Sequence, residues 1–158
     1  MLQHTPSAAA QTLVHRLGYA GLLPFVGLAL LMWLVNADAL PYVALLMVAY
    51  AALIAAFLGG IHWGLAWVHL SGVLTTPALA DGAMRRHLVW GVVPSLLAWP
   101  GVLMPADAAL PWLGVLLLVC YGVDRRLFPA AGLSAWLTLR FRLSAVAALS
   151  CFVAAGAV

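Results

Sequence analysis

The chain has 158 residues, of which 66% are hydrophobic and only 7% are charged. Soluble domains are about 45–50% apolar and about 25% charged, so this chain has too few charges to cover a water-facing surface. We therefore expect an all-α, polytopic helical bundle in a lipid bilayer. The net charge of +3 comes from scattered residues and not from a basic domain, which excludes a nucleic-acid partner.

The hydropathy pattern predicts five membrane-spanning helices in a single domain. A helix needs roughly 20 residues to cross the hydrocarbon, and the second apolar stretch is longer than that. The predicted spans cover residues 17–35, 41–70, 87–104, 108–123 and 143–158, after a short cytoplasmic tail at residues 1–16 and with an interfacial segment at residues 127–138.

The placement of arginine predicts the orientation. Five crossings put all seven basic residues on one side, whereas the opposite side carries Asp38 and Asp107. A count of four crossings would lose this asymmetry. Because short cytoplasmic loops are enriched in Arg and Lys, we expect a cytoplasmic N-terminus and a periplasmic C-terminus in the bacterial inner membrane. The same topology also fits a mitochondrial membrane.

The first two spans resemble the next two at an offset of 70 residues. Arg16 aligns with Arg86, and Pro24 aligns with Pro94. This predicts a parallel repeat about an axis normal to the membrane. The alternative is that such residues recur because helix ends favour them. Each of the two prolines removes a backbone hydrogen bond, so each is predicted to kink its helix.

Glycines mark candidate surfaces for close helix packing. Gly60 and Gly64 have the GxxxG spacing that lets a second backbone approach, and Gly59 and Gly21 are assigned to the same role. The partner surface lies either within the bundle or on another protein, including a second copy of this chain.

Four histidines are predicted to lie in one layer near the cytoplasmic side: His15, His62, His69 and His87. Imidazole is a common ligand of haem iron and other transition metals, and two facing helices would supply a pair such as His62 and His87. The alternative is that these side chains only hydrogen-bond to neighbouring helices or to lipid headgroups.

No catalytic residue is assigned from the sequence. The middle of each span lacks acidic and basic residues, which argues against a proton-coupled carrier. Asp124 is interpreted as part of a solvated anchor at the membrane interface, and Arg140 is expected to extend to the headgroups. Cys120 and Cys151 are interpreted as apolar thiols packed in the core.

Four segments carry a family resemblance. They are residues 17–25 (LGYAGLLPF), 57–64 (FLGGIHWG), 90–99 (WGVVPSLLAW) and, more weakly, 136–144. The sequence resembles an uncharacterised family of short bacterial inner-membrane proteins that includes a mitochondrial transmembrane protein. The resemblance implies an integral inner-membrane protein. It brings no reaction, substrate or cofactor.

Three functions remain open at this stage. The leading hypothesis is a non-catalytic assembly or accessory factor of a membrane complex, with the glycine-rich faces as docking surfaces. The second is binding of haem, a metal or a quinone through the histidine layer. The third is a small-solute transporter, suggested by the repeat and the prolines.

Overall fold

The computed structural model describes residues 7–71 and 81–158. Within these residues the chain forms six α-helices and two short 3-10 turns. The α-helices are α1 (Ala8–Ala20), α2 (Leu22–Leu34), α3 (Leu40–Leu70), α4 (Asp81–Leu103), α5 (Ala106–Leu127) and α6 (Leu137–Ala155). The two turns, Pro129–Ala131 and Ser134–Trp136, lie between α5 and α6 and fall in the predicted interfacial segment.

Four helical stretches among the described residues are long and apolar enough to cross a membrane: Ala8–Leu34, Leu40–Leu70, Ala106–Leu127 and Ser134–Ala155. Many large apolar side chains on their outer faces are exposed, which suits contact with lipid acyl chains. The chain is therefore a multi-pass, all-helical membrane protein. Helix α4, the third predicted span, is not among the four, and its first two turns carry Asp81, Arg85, Arg86 and His87, which lower its mean hydropathy.

Neighbouring helices in the chain mostly run antiparallel. Gly59 of α3 lies against Gly91 of α4, and Trp112 of α5 donates a hydrogen bond to the Leu97 carbonyl of α4, 2.8 Å away. Helix α6 packs between α5 and α2. Side chains from α2, α3, α5 and α6 fill the centre; those almost fully buried include Phe25, Met47, Leu110, Leu113, Leu117 and Cys151.

The close contact between α3 and α4 depends on two glycines. A Cβ atom added to Gly59 would clash with the carbonyl oxygen of Gly91, and one added to Gly91 would clash with the Trp63 indole. Gly60 and Gly64, in contrast, are exposed, and an added Cβ at either position would meet no atom of the described part of the chain within 4 Å. The internal contact is therefore made at Gly59, and the GxxxG step faces outward.

The first predicted span is interrupted near its start. Helices α1 and α2 meet at Gly21, just before Pro24, and the phenol of Tyr50 donates a hydrogen bond to the Gly21 carbonyl over 2.8 Å. Pro24 lies in the first turn of α2, where its missing N–H costs little. Pro94 lies inside α4, which continues to Leu103. A kink at Pro94 stays a prediction, as does the repeat.

Two helix boundaries differ from the predicted spans in ways that affect the site. Helix α5 continues past residue 123 and includes Asp124, and α6 begins at Leu137 and so includes Arg140. Helix α1 covers residues assigned to the N-terminal tail, and none of its side chains is buried.

Candidate functional site

Four polar side chains from four different helices form a continuous buried chain. His62 Nδ1 lies 2.9 Å from His87 Nδ1, and His62 Nε2 lies 2.8 Å from Asp124 Oδ1. Arg140 donates from Nε to Asp124 Oδ2 over 2.8 Å, and its Nη2 also contacts this oxygen. We call this set, His87, His62, Asp124 and Arg140, the polar chain. It crosses the bundle from α4 through α3 and α5 to α6.

The helices bring these residues to one depth. His62 lies about two turns before the end of α3, and His87 is in the second turn of α4. Asp124 is in the last turn of α5 and Arg140 in the first turn of α6. Because adjacent helices are antiparallel, all four positions lie near the arginine-rich end of the bundle.

Three members of the polar chain are almost completely removed from solvent, and the fourth side chain, that of Arg140, is 11% exposed. His62 is 0% exposed, and His87 and Asp124 are each 1% exposed. An ionised group buried this deeply needs both a counter-charge and hydrogen bonds. Arg140 supplies the charge for Asp124, and His62 supplies the third hydrogen bond.

The bonding pattern fixes the proton positions when both imidazoles are neutral. The Asp124 carboxylate, held by Arg140, only accepts, so His62 must carry its proton on Nε2. His62 Nδ1 is then an acceptor, and His87 must donate from its own Nδ1. This leaves His87 Nε2 as a bare lone pair, and among the described residues that buried atom has no hydrogen-bond partner.

A cavity of about 530 Å³ lies between α1, α2, α3, α5 and α6. Its walls are almost wholly apolar and include Phe25, Leu58, Leu117 and Leu143. Pockets for small organic ligands have volumes of about 300–1,000 Å³ and combine apolar walls with a few polar groups. The cavity therefore has the size and character of a ligand site.

The polar groups of this cavity come from one face of α6. Arg140 and Ser144, one helical turn apart, both line it. Ser144 is 3% exposed, and its Oγ has no hydrogen-bond partner among the described residues. Since Arg140 also binds Asp124, the cavity and the polar chain meet at this guanidinium.

The other predicted histidines lie outside the polar chain. The Nδ1 atoms of His15 and His69 lie 2.8 and 3.1 Å from the carbonyl oxygens of Gln11 and Leu65, each one turn earlier in its own helix. Of the four predicted histidines, the structure therefore joins His62 and His87 directly. Among residues 7–71 and 81–158, no three His, Cys, Asp or Glu side chains are grouped to hold a metal ion.

The donor geometry gives no support to haem or metal binding between the two joined histidines. Metal–imidazole bonds are about 2.0–2.1 Å long, so two nitrogens on opposite sides of an iron lie about 4 Å apart. His62 Nδ1 and His87 Nδ1 are in direct hydrogen-bond contact, and the other nitrogen of His62 is occupied by Asp124.

The interpretation of Asp124 and Arg140 as interface charges was wrong. Asp124 is buried because it continues the inward face of α5, which runs through Leu113, Leu117 and Cys120 at helical spacing. Arg140 turns inward to pair with it and does not extend to the headgroups. Helical spacing places both residues on the buried faces of their helices, and this pattern could have indicated the pair. The neighbouring Arg125 and Arg126 suggested a solvated group of charges instead.

The sequence comparisons place the chain in a family. It belongs to the family described as protein of unknown function (DUF3429), which matches residues 10–156. This confirms the resemblance seen in the sequence. The DUF3429 description names no reaction or ligand.

One curated relative is similar over part of the chain. Transmembrane protein 69 of Xenopus tropicalis is 45% identical over 87 residues, which is 55% of this chain and 31% of the relative. The match thus spans about a third of the relative's length. No solved structure matches the chain.

Proposed function

We propose that this protein binds a lipid-like amphiphile, with the apolar body in the cavity and a compact oxygen-bearing head at Arg140 and Ser144. Quinones with an apolar tail belong to this class, as do fatty acids. The observation that carries the proposal is the Ser144 hydroxyl, which has no hydrogen-bond partner among the described residues and lines, together with Arg140, a cavity whose other walls are almost wholly apolar.

The donors available to the head are specific. A guanidinium has five N–H donors, and Asp124 engages only Nε and Nη2 of Arg140. The remaining N–H groups and the Ser144 hydroxyl would donate to a carbonyl or carboxylate oxygen. A buried polar group without a hydrogen-bond partner costs about 1–3 kcal/mol. A ligand oxygen that accepts a hydrogen bond from the Ser144 hydroxyl would remove this cost, so the ligand would bind more tightly.

Calorimetric titration of the detergent-solubilised protein with a decyl-substituted benzoquinone and with dodecanoate tests this proposal. Ser144→Ala should weaken binding roughly 3- to 10-fold through loss of one hydrogen bond, and Ser144→Leu should abolish it by filling the cavity. Ser150→Ala is the matched control, because Ser150 is buried on the same helix and bonded to the Val146 carbonyl. Failure of wild-type protein to bind either probe would refute the proposal.

The tryptophan on the cavity wall offers an independent readout. Trp136 lines the cavity, and quinones quench indole fluorescence at short range. Trp136→Phe should remove most of the quinone-dependent quenching while calorimetric binding persists. Unchanged quenching in this variant would place the quinone elsewhere.

We further propose that α4 is the fifth membrane crossing. Its 23 residues extend about 35 Å, and it packs along both α3 and α5, each long and apolar enough to span. In this arrangement all arginines lie on one side, which we assign to the cytoplasm, and the membrane that we propose is the bacterial inner membrane. Single cysteines introduced at Arg85 and Asp107, near the two ends of α4, in a background without native cysteine, should react with an impermeant maleimide from opposite sides. Reaction of both from one side would exclude this topology.

A second function, as an accessory factor that docks a partner helix, is favoured by the outward GxxxG step of α3. Gly60→Leu meets no internal contact and should leave the fold intact while removing a co-purifying membrane protein or a second copy. Gly27→Leu is the matched control, since Gly27 is also exposed and has no atom near its Cβ position. Retention of every partner in Gly60→Leu would exclude docking at this step.

A further inference from the structure

The charge balance of the polar chain depends on what occupies the cavity. Asp124 and Arg140 cancel each other when both imidazoles are neutral. A quinone head is uncharged, so the net charge of the polar chain with its ligand stays at zero. A carboxylate head beside Arg140 would instead place a second negative charge in a region of low dielectric, where an unbalanced charge is costly.

The two histidines can supply the missing positive charge. A proton added to His87 Nε2, the bare atom, permits the His87 Nδ1 proton to move along the 2.9 Å contact to His62 Nδ1. His62 is then an imidazolium that donates to the Asp124 carboxylate through Nε2. The transfer conserves hydrogen bonds, because His87 Nδ1 changes from donor to acceptor as His62 Nδ1 changes from acceptor to donor.

We propose that carboxylate-headed amphiphiles bind in the cavity together with one proton, which the His62–His87 pair takes up from water. This rests on the proposed ligand site and assigns fatty-acyl carboxylates as a proton-coupled ligand class of that site. The imidazolium neutralises Asp124 and leaves the positive charge of Arg140 for the ligand. Quinones bind without proton uptake.

The groups around the pair limit where the proton can be held. His87 is close enough to interact electrostatically with His62 and His69 of α3, Arg86 of its own helix and Asp124 of α5. On the far side, Asp124 faces Arg140 of α6 and the Cys120 thiol. Asp124 is the only anion in this set, and His62 is the imidazole bonded to it. The added proton therefore settles on His62, beside the carboxylate.

The test is calorimetric titration with dodecanoate in two buffers of different ionisation enthalpy, which counts protons taken up on binding. We expect about one proton per dodecanoate at a pH where the free pair is neutral, and none for the decyl-substituted benzoquinone. Dodecanoate affinity should rise as the pH is lowered through the range in which the pair takes up its proton.

Variants separate this coupling from a purely structural role of the histidines. His62→Gln and His87→Gln should each reduce the proton count to near zero and weaken dodecanoate binding at least tenfold, with quinone affinity unchanged. His69→Gln is the matched control, because His69 is also close enough to interact with His87 but lies outside the polar chain. Circular dichroism and thermal unfolding identify any variant that fails to fold. The proton count of the wild-type protein tests the proposal even if every variant misfolds.

The outcomes are distinct for the two proposals. Dodecanoate binding without proton uptake in the wild-type protein, or uptake that persists in the His62→Gln/His87→Gln double variant, would overturn the coupling and leave the ligand site standing. Absence of binding by both probes would remove the ligand site and the coupling with it.

Discussion

The imidazole of His62 and the carboxylate of Asp124 lie 2.8 Å apart, although 62 positions separate them in the chain. The pair joins α3 to α5, and each partner has a second bond, to His87 and to Arg140 respectively. A buried chain of this kind stabilises one arrangement of four helices, since each member is costly to leave alone.

Replacement of Asp124 is expected to be strongly destabilising. Asp124→Ala leaves the Arg140 charge buried without its counter-ion, and loss of one partner of a buried pair costs about 3–5 kcal/mol. Reversible unfolding in mixed micelles of increasing SDS fraction measures this change. Asp107→Ala is the control: Asp107 is exposed in the first turn of α5 and should cost less than about 1 kcal/mol. Equal losses in both variants would contradict burial as the cause.

The two adjacent glycines of α3 should respond oppositely to a single methyl group. Gly59→Ala directs its Cβ into the backbone of Gly91 and should lower stability by about 1–3 kcal/mol through overpacking. Gly60→Ala meets open space and should preserve or slightly raise stability, because alanine favours the helix. Thermal unfolding of the two variants gives the comparison, and a larger loss at Gly60 would contradict the packing described for α3 and α4.

Removal of the Tyr50 hydroxyl tests the junction between α1 and α2. Tyr50→Phe loses the hydrogen bond to the Gly21 carbonyl and should cost about 0.5–1.5 kcal/mol, most of it by loosening α1. Relative to the wild-type protein, amide hydrogen exchange should accelerate more in α1 than in α3, and an equal change in both helices would contradict a local effect. Tyr42→Phe is the control, since Tyr42 is 66% exposed.

The two cysteines provide a probe of global unfolding. Cys120 and Cys151 are 1% and 0% exposed and are free thiols, as the sequence predicted. Neither should react with N-ethylmaleimide in the folded protein, and both should react once SDS unfolds it. Rapid labelling of Cys151 before unfolding would indicate that α5 and α6 separate readily.

The helices were predictable because apolar runs of this length have few alternatives. The similar depth of His62 and His87 was also predictable, since the spans place both near the same side of the membrane. Their direct contact was not, because it depends on which faces of α3 and α4 meet, and that is set by Gly59 and Gly91. The sequence singled out Gly91 in the internal repeat and in a family segment, but not as a packing surface.

The charged half of the site was missed for a physical reason. Arginine and aspartate near a helix end are ordinarily solvated, and the local composition around residues 124–126 supports that expectation. Only the inward faces of α5 and α6, followed by their helical spacing, distinguish Asp124 and Arg140 from their exposed neighbours. The cavity could not be predicted, since it arises from imperfect filling between five helices.

Helix α2 packs along α6, where Trp33 donates to the Val153 carbonyl over 3.2 Å. The first and last apolar helices of the described chain are therefore neighbours, and their contact closes the bundle into a ring. During synthesis, α2 enters the membrane long before α6 leaves the ribosome. Until α6 inserts, the faces of the earlier helices that pack against it stay uncovered in the bilayer. Neither the cavity nor the Asp124–Arg140 pair exists before that step. The proposed ligand site is thus completed late in biogenesis, and chains stalled before residue 137 should engage membrane chaperones.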